Sequence, residues 1–144
     1  MGAEHDGRSR ELHDLIRGMA LFADLSGPQL EGVAHIFEER FFADGERVLR
    51  QGLSGAGLFV IVDGTAGIRI DGQERRRLAR GEFFGEISVL LDEPPIADIV
   101  AVGPLRCAVL DAPRVRPFLI AHPQVCYRML VTEAERLRDQ TRWR

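Results

Sequence analysis

The sequence predicts a mainly β fold with flanking α: a double-stranded β-helix, or jelly roll, between an N-terminal helical pair and C-terminal helices. Three observations predict it. Apolar residues recur at helical spacing in the first forty residues and again after Asp111. Between Arg40 and Leu110 the texture changes to short β-type runs that alternate with glycine. Those runs are separated by glycine turns such as Asp44-Gly45, Asp63-Gly64, Asp71-Gly72 and Gly103-Pro104. Short strands at that spacing close into a sandwich or barrel, and a jelly roll needs roughly eight of them.

The elements follow in order. Ser9 to Phe22 places Leu12, Leu15, Ile16, Met19 and Phe22 on one helical face. Ser26 is an N-cap for a second helix, with Gln29 three residues on as in a capping box, and Leu30, Val33, Ala34 and Phe37 form its apolar face. Strands are expected at Arg40–Ala43, Arg47–Gln51, Leu58–Val62, Thr65–Ile70, Arg75–Ala79, Ile96–Val102 and Leu105–Leu110. Gly52, Gly55, Gly57 and Gly81 supply further turns. Asp111 caps a helix that turns Val115, Phe118 and Leu119 inward. Pro123 suits the first turn of a last helix, whose stripe is Cys126, Met129, Leu130, Ala134 and Leu137. No repeat or long linker interrupts the plan, so residues 1–144 read as one domain: helices 9–37, β-roll 40–110, C-terminal helices 112–140.

Composition excludes several classes. The chain is 45% hydrophobic and 28% charged with a formal net charge of −3, so charge predicts no nucleic-acid partner. No apolar run reaches the ~20 residues that span a bilayer, and the polar N-terminus is no secretory signal. The expectation is a cytoplasmic protein. Every one of the 19 basic residues is arginine, and there is no lysine or asparagine, a bias expected of a GC-rich bacterial genome. Cys107 and Cys126 read as buried free thiols. The four histidines are scattered, which argues against a metal centre, and Ser88 has no histidine beside it to activate it. No enzyme is expected, and no cofactor.

The stretch F-F-G-E-I-S-V-L-L-D-E-P-P-I-A-D-I-V-A, Phe83 to Ala101, concentrates the chemistry. Gly85 lets the backbone approach a ligand closely, and a helical turn starting near Phe84 aims free N–H groups at one point. Phe84-Gly85-Glu86 resembles the opening of the phosphate-binding cassette of cyclic nucleotide-binding domains, the sensor domains of Crp/Fnr-like regulators. Three more segments are similar to that family: Leu21-Phe22-Ala23-Asp24-Leu25-Ser26 between the first helices, Ala43 to Val48 in the first hairpin, and Gly52 to Gly64 before a central strand.

The resemblance implies a regulatory domain that senses cyclic AMP or cyclic GMP and couples occupancy of the roll to the position of its C-terminal helix. It implies Glu86 as acceptor of the ribose 2′-hydroxyl, and Gly85 with the N–H groups of Ile87, Ser88, Ile96 and Ala97 around the phosphate. Ile68 becomes a pocket wall, and Arg136, Gln140 and Thr141 fall on the lid. Where the family closes its cassette with P-R-A-A-T-V, this chain has Pro94-Pro95-Ile96-Ala97-Asp98-Ile99. Pro95 stands on the phosphate-gripping arginine and Asp98 on the threonine. Losing a charge partner beside a buried phosphate costs about 3–5 kcal/mol, which argues against unaided binding of cyclic AMP. Arg76, on the same strand face as Leu78, could supply an anion partner from the opposite wall; the alternative is a solvated edge strand.

Two roles follow for the last helix: a homodimer seam or contact with an effector protein, and packing against the roll. The rival function is a degenerate roll that binds no nucleotide and serves as an interaction or dimerisation module. No DNA-binding module is read in the sequence.

Overall fold

The computed structural model describes residues 10–53 and 57–142. Helix α1 covers residues 10–16 and ends where Gly18 takes φ +88°. A 3-10 turn, Ala20–Phe22, follows instead of the continuous helix that periodicity predicts. The spacing still serves packing, because Leu12, Ile16, Met19 and Phe22 are all buried in one cluster. Ser9 lies outside the described residues. Helix α2, Gly27–Ile36, starts with the expected capping box, in which the Ser26 hydroxyl accepts from the Gln29 N–H and Gln29 accepts from the Ser26 N–H.

The strands are β1 Glu38–Phe42, β2 Arg47–Leu49, β3 Gly57–Ile70, β4 Gln73–Leu78, β5 Phe83–Phe84 and β6 Asp98–Asp111. All pairings are antiparallel; the path runs β1-β6-β3-β4, with β2 on β6 and β5 on β3. Four runs read as separate strands in the sequence are two long ones, because the intervening glycines bend the chain without ending its pairing. Gly64 has φ +95°, and a Cβ there would strike the Pro104 carbonyl of the facing bend. The β3–β6 register slips at Asp63, where the two strands turn the corner of the roll together.

Period-2 alternation sorts β3 and β6 onto two cores. Leu58, Val60, Val62, Ala108 and Leu110 face the helices and join Val33, Phe118 and Met129. Phe59, Ile61, Cys107 and Val109 face the inside of the roll with Leu49, Leu78, Phe84 and Ile99. Edge-to-face contacts link Phe22 to Phe37 at 6.2 Å and Phe37 to Phe118 at 5.3 Å between ring centroids.

Helix α3, Glu86–Leu91, is the short cassette helix, α4 is Ala112–Ala121, and α5 is Pro123–Arg142. Asp111 holds the N-cap position of α4, but its carboxylate accepts from Arg40 at 3.2 Å and caps nothing. The face that α5 buries is Val125 and Met129. The predicted stripe is corrected here: Cys126, Leu130, Ala134 and Leu137 are exposed, Leu130 and Leu137 by 64% and 65%. Cys126 is therefore not the buried thiol expected, whereas Cys107 is, its pKa pushed up to about 12 by burial. Arg128 anchors α5 to the N-terminal segment through Asp24, at 2.6 and 2.9 Å.

Candidate functional site

Gly85 makes the cassette possible. It has φ +89°, and a Cβ there would collide with the Gly57 carbonyl and crowd Phe59. The sequence reading assigned this glycine to close approach of a ligand; the close approach in the structure is to strand β3. The result is that Phe84 stacks on Phe59 at 4.9 Å and α3 begins directly against the roll.

Glu86 is the first residue of α3 and is only 2% exposed. One carboxylate oxygen, Oε1, accepts from Arg136 of α5 at 3.3 Å. The other, Oε2, is buried with no hydrogen-bond partner. Arg136 also donates to the Phe83 carbonyl at 2.7 Å and to Glu133 at 3.1 Å, and its guanidinium lies 4.6 Å over the Phe83 ring. Burial, and next the Glu133 carboxylate, push the Glu86 carboxyl up to about 8, against the opposing pull of its own backbone N–H and of Arg136.

The remaining predicted residues take these places. Ser88 is buried, and its hydroxyl donates to the Glu93 carbonyl, closing the cassette turn. Ile87 and Ile96 expose their side chains, and Ala97 is buried. Ile68 pairs with Ile99 on one side and Arg76 on the other, so all three point to the same face. Arg76 is already engaged, donating to Glu82 at 2.9 Å. Pro95 is buried, and its carbonyl accepts from the Gly52 N–H at 2.8 Å. Asp98 accepts from the Gln51 N–H at 2.7 Å, and Gln51 exchanges two further hydrogen bonds with Asp71. The half of the cassette that departs from the family pattern is therefore tied to the segment after β2. Gln140 and Thr141 are on α5, where Thr141 donates to the Leu137 carbonyl.

Sequence reasoning missed Glu133 and Gln51. Glu133 had a signal: it interrupts the apolar pattern of α5 three residues before Arg136, the spacing of a helical ion pair. Gln51 had none. A cavity of about 570 Å³ lies between the 3-10 turn, the β4–β5 turn and α5, lined by Arg17, Arg76, Arg80, Glu82, Phe83 and Arg136 among others. It reaches Arg136 from outside; Gly85, Glu86, Ser88 and Ala97 do not line it. Among the described residues no group of His, Cys, Asp and Glu could hold a metal, and no helix is long and apolar enough to cross a membrane.

A glycine-bent β-roll with a short helix buried against it, and a C-terminal helix latched onto that helix's carboxyl, defines a class of regulatory ligand-sensing domain. The chain belongs to the cyclic nucleotide-binding domain family, whose pattern matches residues 39–122, more than half of it. It is 35% identical over 113 residues to a cAMP-dependent protein kinase regulatory subunit of Blastocladiella emersonii, covering 74% of this chain and 28% of that protein. The chain thus spans under a third of that relative's length. A catabolite activator protein of Thermus thermophilus superposes with a TM-score of 0.75, at 28% identity over 85% of this chain and 60% of that one. The regulatory subunit of a cAMP-independent protein kinase A from Trypanosoma brucei has a TM-score of 0.79 at 19% identity, over 90% and 47% of the two chains.

Proposed function

We propose that this domain receives a ribose-bearing small molecule at Glu86 and reports its presence through α5. One observation carries the reading: a carboxyl that is 2% exposed, with one oxygen held by the C-terminal helix and the other without a partner. A buried acceptor left empty costs about 1–3 kcal/mol, and a sugar hydroxyl removes that cost. Gly85, the N–H groups of Ile87, Ser88, Ile96 and Ala97, and the wall residue Ile68 complete the proposed surround. Arg76, matched by Glu82, is the weakest member.

The output follows from Arg136. Its contacts to Glu86, Phe83 and Glu133 make it the bond between cassette and α5, so a hydroxyl that binds the other oxygen of Glu86 and draws the carboxyl away from Arg136 weakens the hold on that helix. Only a ligand with different affinity for the two helix positions shifts them. The outer face of α5 carries Tyr127, Leu130, Ala134 and Leu137 at alternating three- and four-residue spacing, which supports a seam with a second copy of the chain. In this reading the domain is not catalytic, needs no cofactor, binds neither nucleic acid nor membrane, and works in a bacterial cytoplasm. The arginine-only composition supports the bacterial part.

That the same fold occurs in a kinase subunit described as cAMP-independent leaves the ligand to be argued from this chain's own residues. Calorimetric titration with cyclic AMP, cyclic GMP, adenosine and guanosine tests the reading. Saturable heat that disappears in Glu86→Ala is expected; no heat with any of the four up to millimolar concentration refutes it and favours a purely interacting roll. Light scattering on the eluted protein tests the seam, and a monomer at high concentration removes it.

A further inference from the structure

The cavity beside α5 has walls of opposite charge. One wall, built from the turn after α1 and the β4–β5 turn, brings Arg17 and Arg80; the other is the face of α5 that carries Thr132, Glu135 and Asp139. The other ionic side chains that line it are already matched. Glu82 accepts from Arg76 at 2.9 Å with one oxygen and from the Ala79 N–H at 2.8 Å with the other. Arg136 is held by Glu86, Glu133 and the Phe83 carbonyl.

The charges on the two facing walls are not matched. Among the described residues the side chains of Arg17 and Glu135 make no hydrogen bond or ion pair. Arg80 donates to the Leu15 carbonyl at 3.0 Å and to no carboxylate among the described residues, and Asp139 gives one oxygen to its neighbour Arg138 at 3.2 Å. No ion pair among the described residues joins Arg17 or Arg80 to Glu135 or Asp139, so the two walls stand apart. A purely anionic guest is attracted by the first wall and repelled by the second, and a purely cationic guest meets the reverse. A guest that carries one charge of each sign, separated by its own length, suits both.

We propose that this cavity binds a short free peptide, its carboxylate at Arg17 and Arg80 and its ammonium at Glu135 and Asp139. The size agrees. A volume of about 570 Å³ lies within the roughly 300–1,000 Å³ of ligand cavities, and a chain of two to three extended residues spans roughly 7–11 Å. The half-buried Thr132 hydroxyl, without a partner among the described residues, offers a contact to a peptide group, and the buried Met19, Leu21 and Phe83 give an apolar surface for a side chain. A single amino acid carries both charges on one carbon, too close together to serve two separated walls. Glu86 does not line the cavity, so the inference stands apart from the ribose reading. A peptide held this way ties the turns after α1 and β4 to α5, beside the anchor that Arg128 makes to Asp24.

Calorimetry on the full chain tests it, with dialanine, trialanine, dileucine and trileucine as probes beside their N-acetyl and C-amide forms and free alanine and leucine. At least one free peptide is expected to bind saturably, to raise the melting midpoint as a ligand of the folded state does, and to lose affinity at high salt. Its acetylated form, its amide and the free amino acid are each expected to bind at least about tenfold more weakly, and so is the free peptide to Arg17→Gln and to Glu135→Gln. Neither of those side chains has a partner to lose among the described residues, so both variants are expected to melt with the parent. A blocked peptide or a free amino acid that binds as tightly as the free peptide overturns the two-wall reading. Parental affinity in both variants places the peptide elsewhere and overturns the site. Silence from every peptide up to millimolar concentration overturns the inference and leaves the reading of Glu86 untouched.

Discussion

Replacing Arg136 by methionine isolates the latch between α5 and the cassette. Methionine keeps most of the aliphatic volume over Phe83 and removes the guanidinium. The structure supplies the terms. A charge-assisted hydrogen bond to the Phe83 carbonyl at 2.7 Å is worth about 1.5–3 kcal/mol. Stacking over the Phe83 ring at 4.6 Å adds about 0.5–1 kcal/mol. The contact to Glu86 at 3.3 Å belongs to the same hold and is lost with the guanidinium. The expected loss is about 2–4 kcal/mol, and at about 2–4 °C per kcal/mol for a chain near this size the melting temperature falls by roughly 5–15 °C. Differential scanning calorimetry measures the midpoint, and amide exchange along residues 123–142 reports whether α5 is the part released. A midpoint within about 1 °C of the parent, with α5 equally protected, refutes the latch.

Other substitutions probe the parts around it. Gly85→Ala combines a left-handed backbone, about 1–2 kcal/mol, with a clash against the Gly57 carbonyl, about 1–3 kcal/mol; denaturant unfolding is expected to show a loss of about 2–5 kcal/mol, and parental stability contradicts the packing role. The raised Glu86 carboxyl means the folded protein binds a proton that the unfolded chain has released, so stability falls as pH rises from about 4.5 toward about 8. Melting curves at pH 5 and pH 8.5 are expected to show that fall in the parent and a smaller one in Glu86→Gln. Asp98→Ala removes the acceptor of the Gln51 N–H, costs about 0.5–1.5 kcal/mol, and is expected to speed exchange of that amide; an unchanged rate means the segment after β2 is held otherwise.

Much of the fold was legible because it is written in local chemistry. The capping box at Ser26 and Gln29 and the apolar run Leu58–Val62 both act over a few residues, and both appear as read. The misreadings share a different cause. Whether Gly18 ends a helix, or Gly64 merely bends a strand, depends on what the chain packs against afterwards, and glycine permits either outcome. The stripe on α5 failed for a related reason: apolar residues at helical spacing mark a face without saying that this protein's own core covers it.

The site was half legible. The F-G-E motif drew attention to Glu86, and Pro95 marked the departure from the family pattern. The partners they meet, Arg136 fifty residues on and Gly52 on a distant turn, reach them only through the tertiary fold. Gly85 was identified for one reason and is required for another, since its missing Cβ makes room for β3.

The central claim is that occupancy of the cassette is communicated to α5. Amide hydrogen exchange of residues 123–142, with and without a saturating concentration of whichever cyclic nucleotide or nucleoside binds in calorimetry, tests it most directly. The account predicts a change in exchange along α5 that is absent in Glu86→Ala under the same conditions. Saturated binding with α5 exchange unaltered in the parent protein contradicts it.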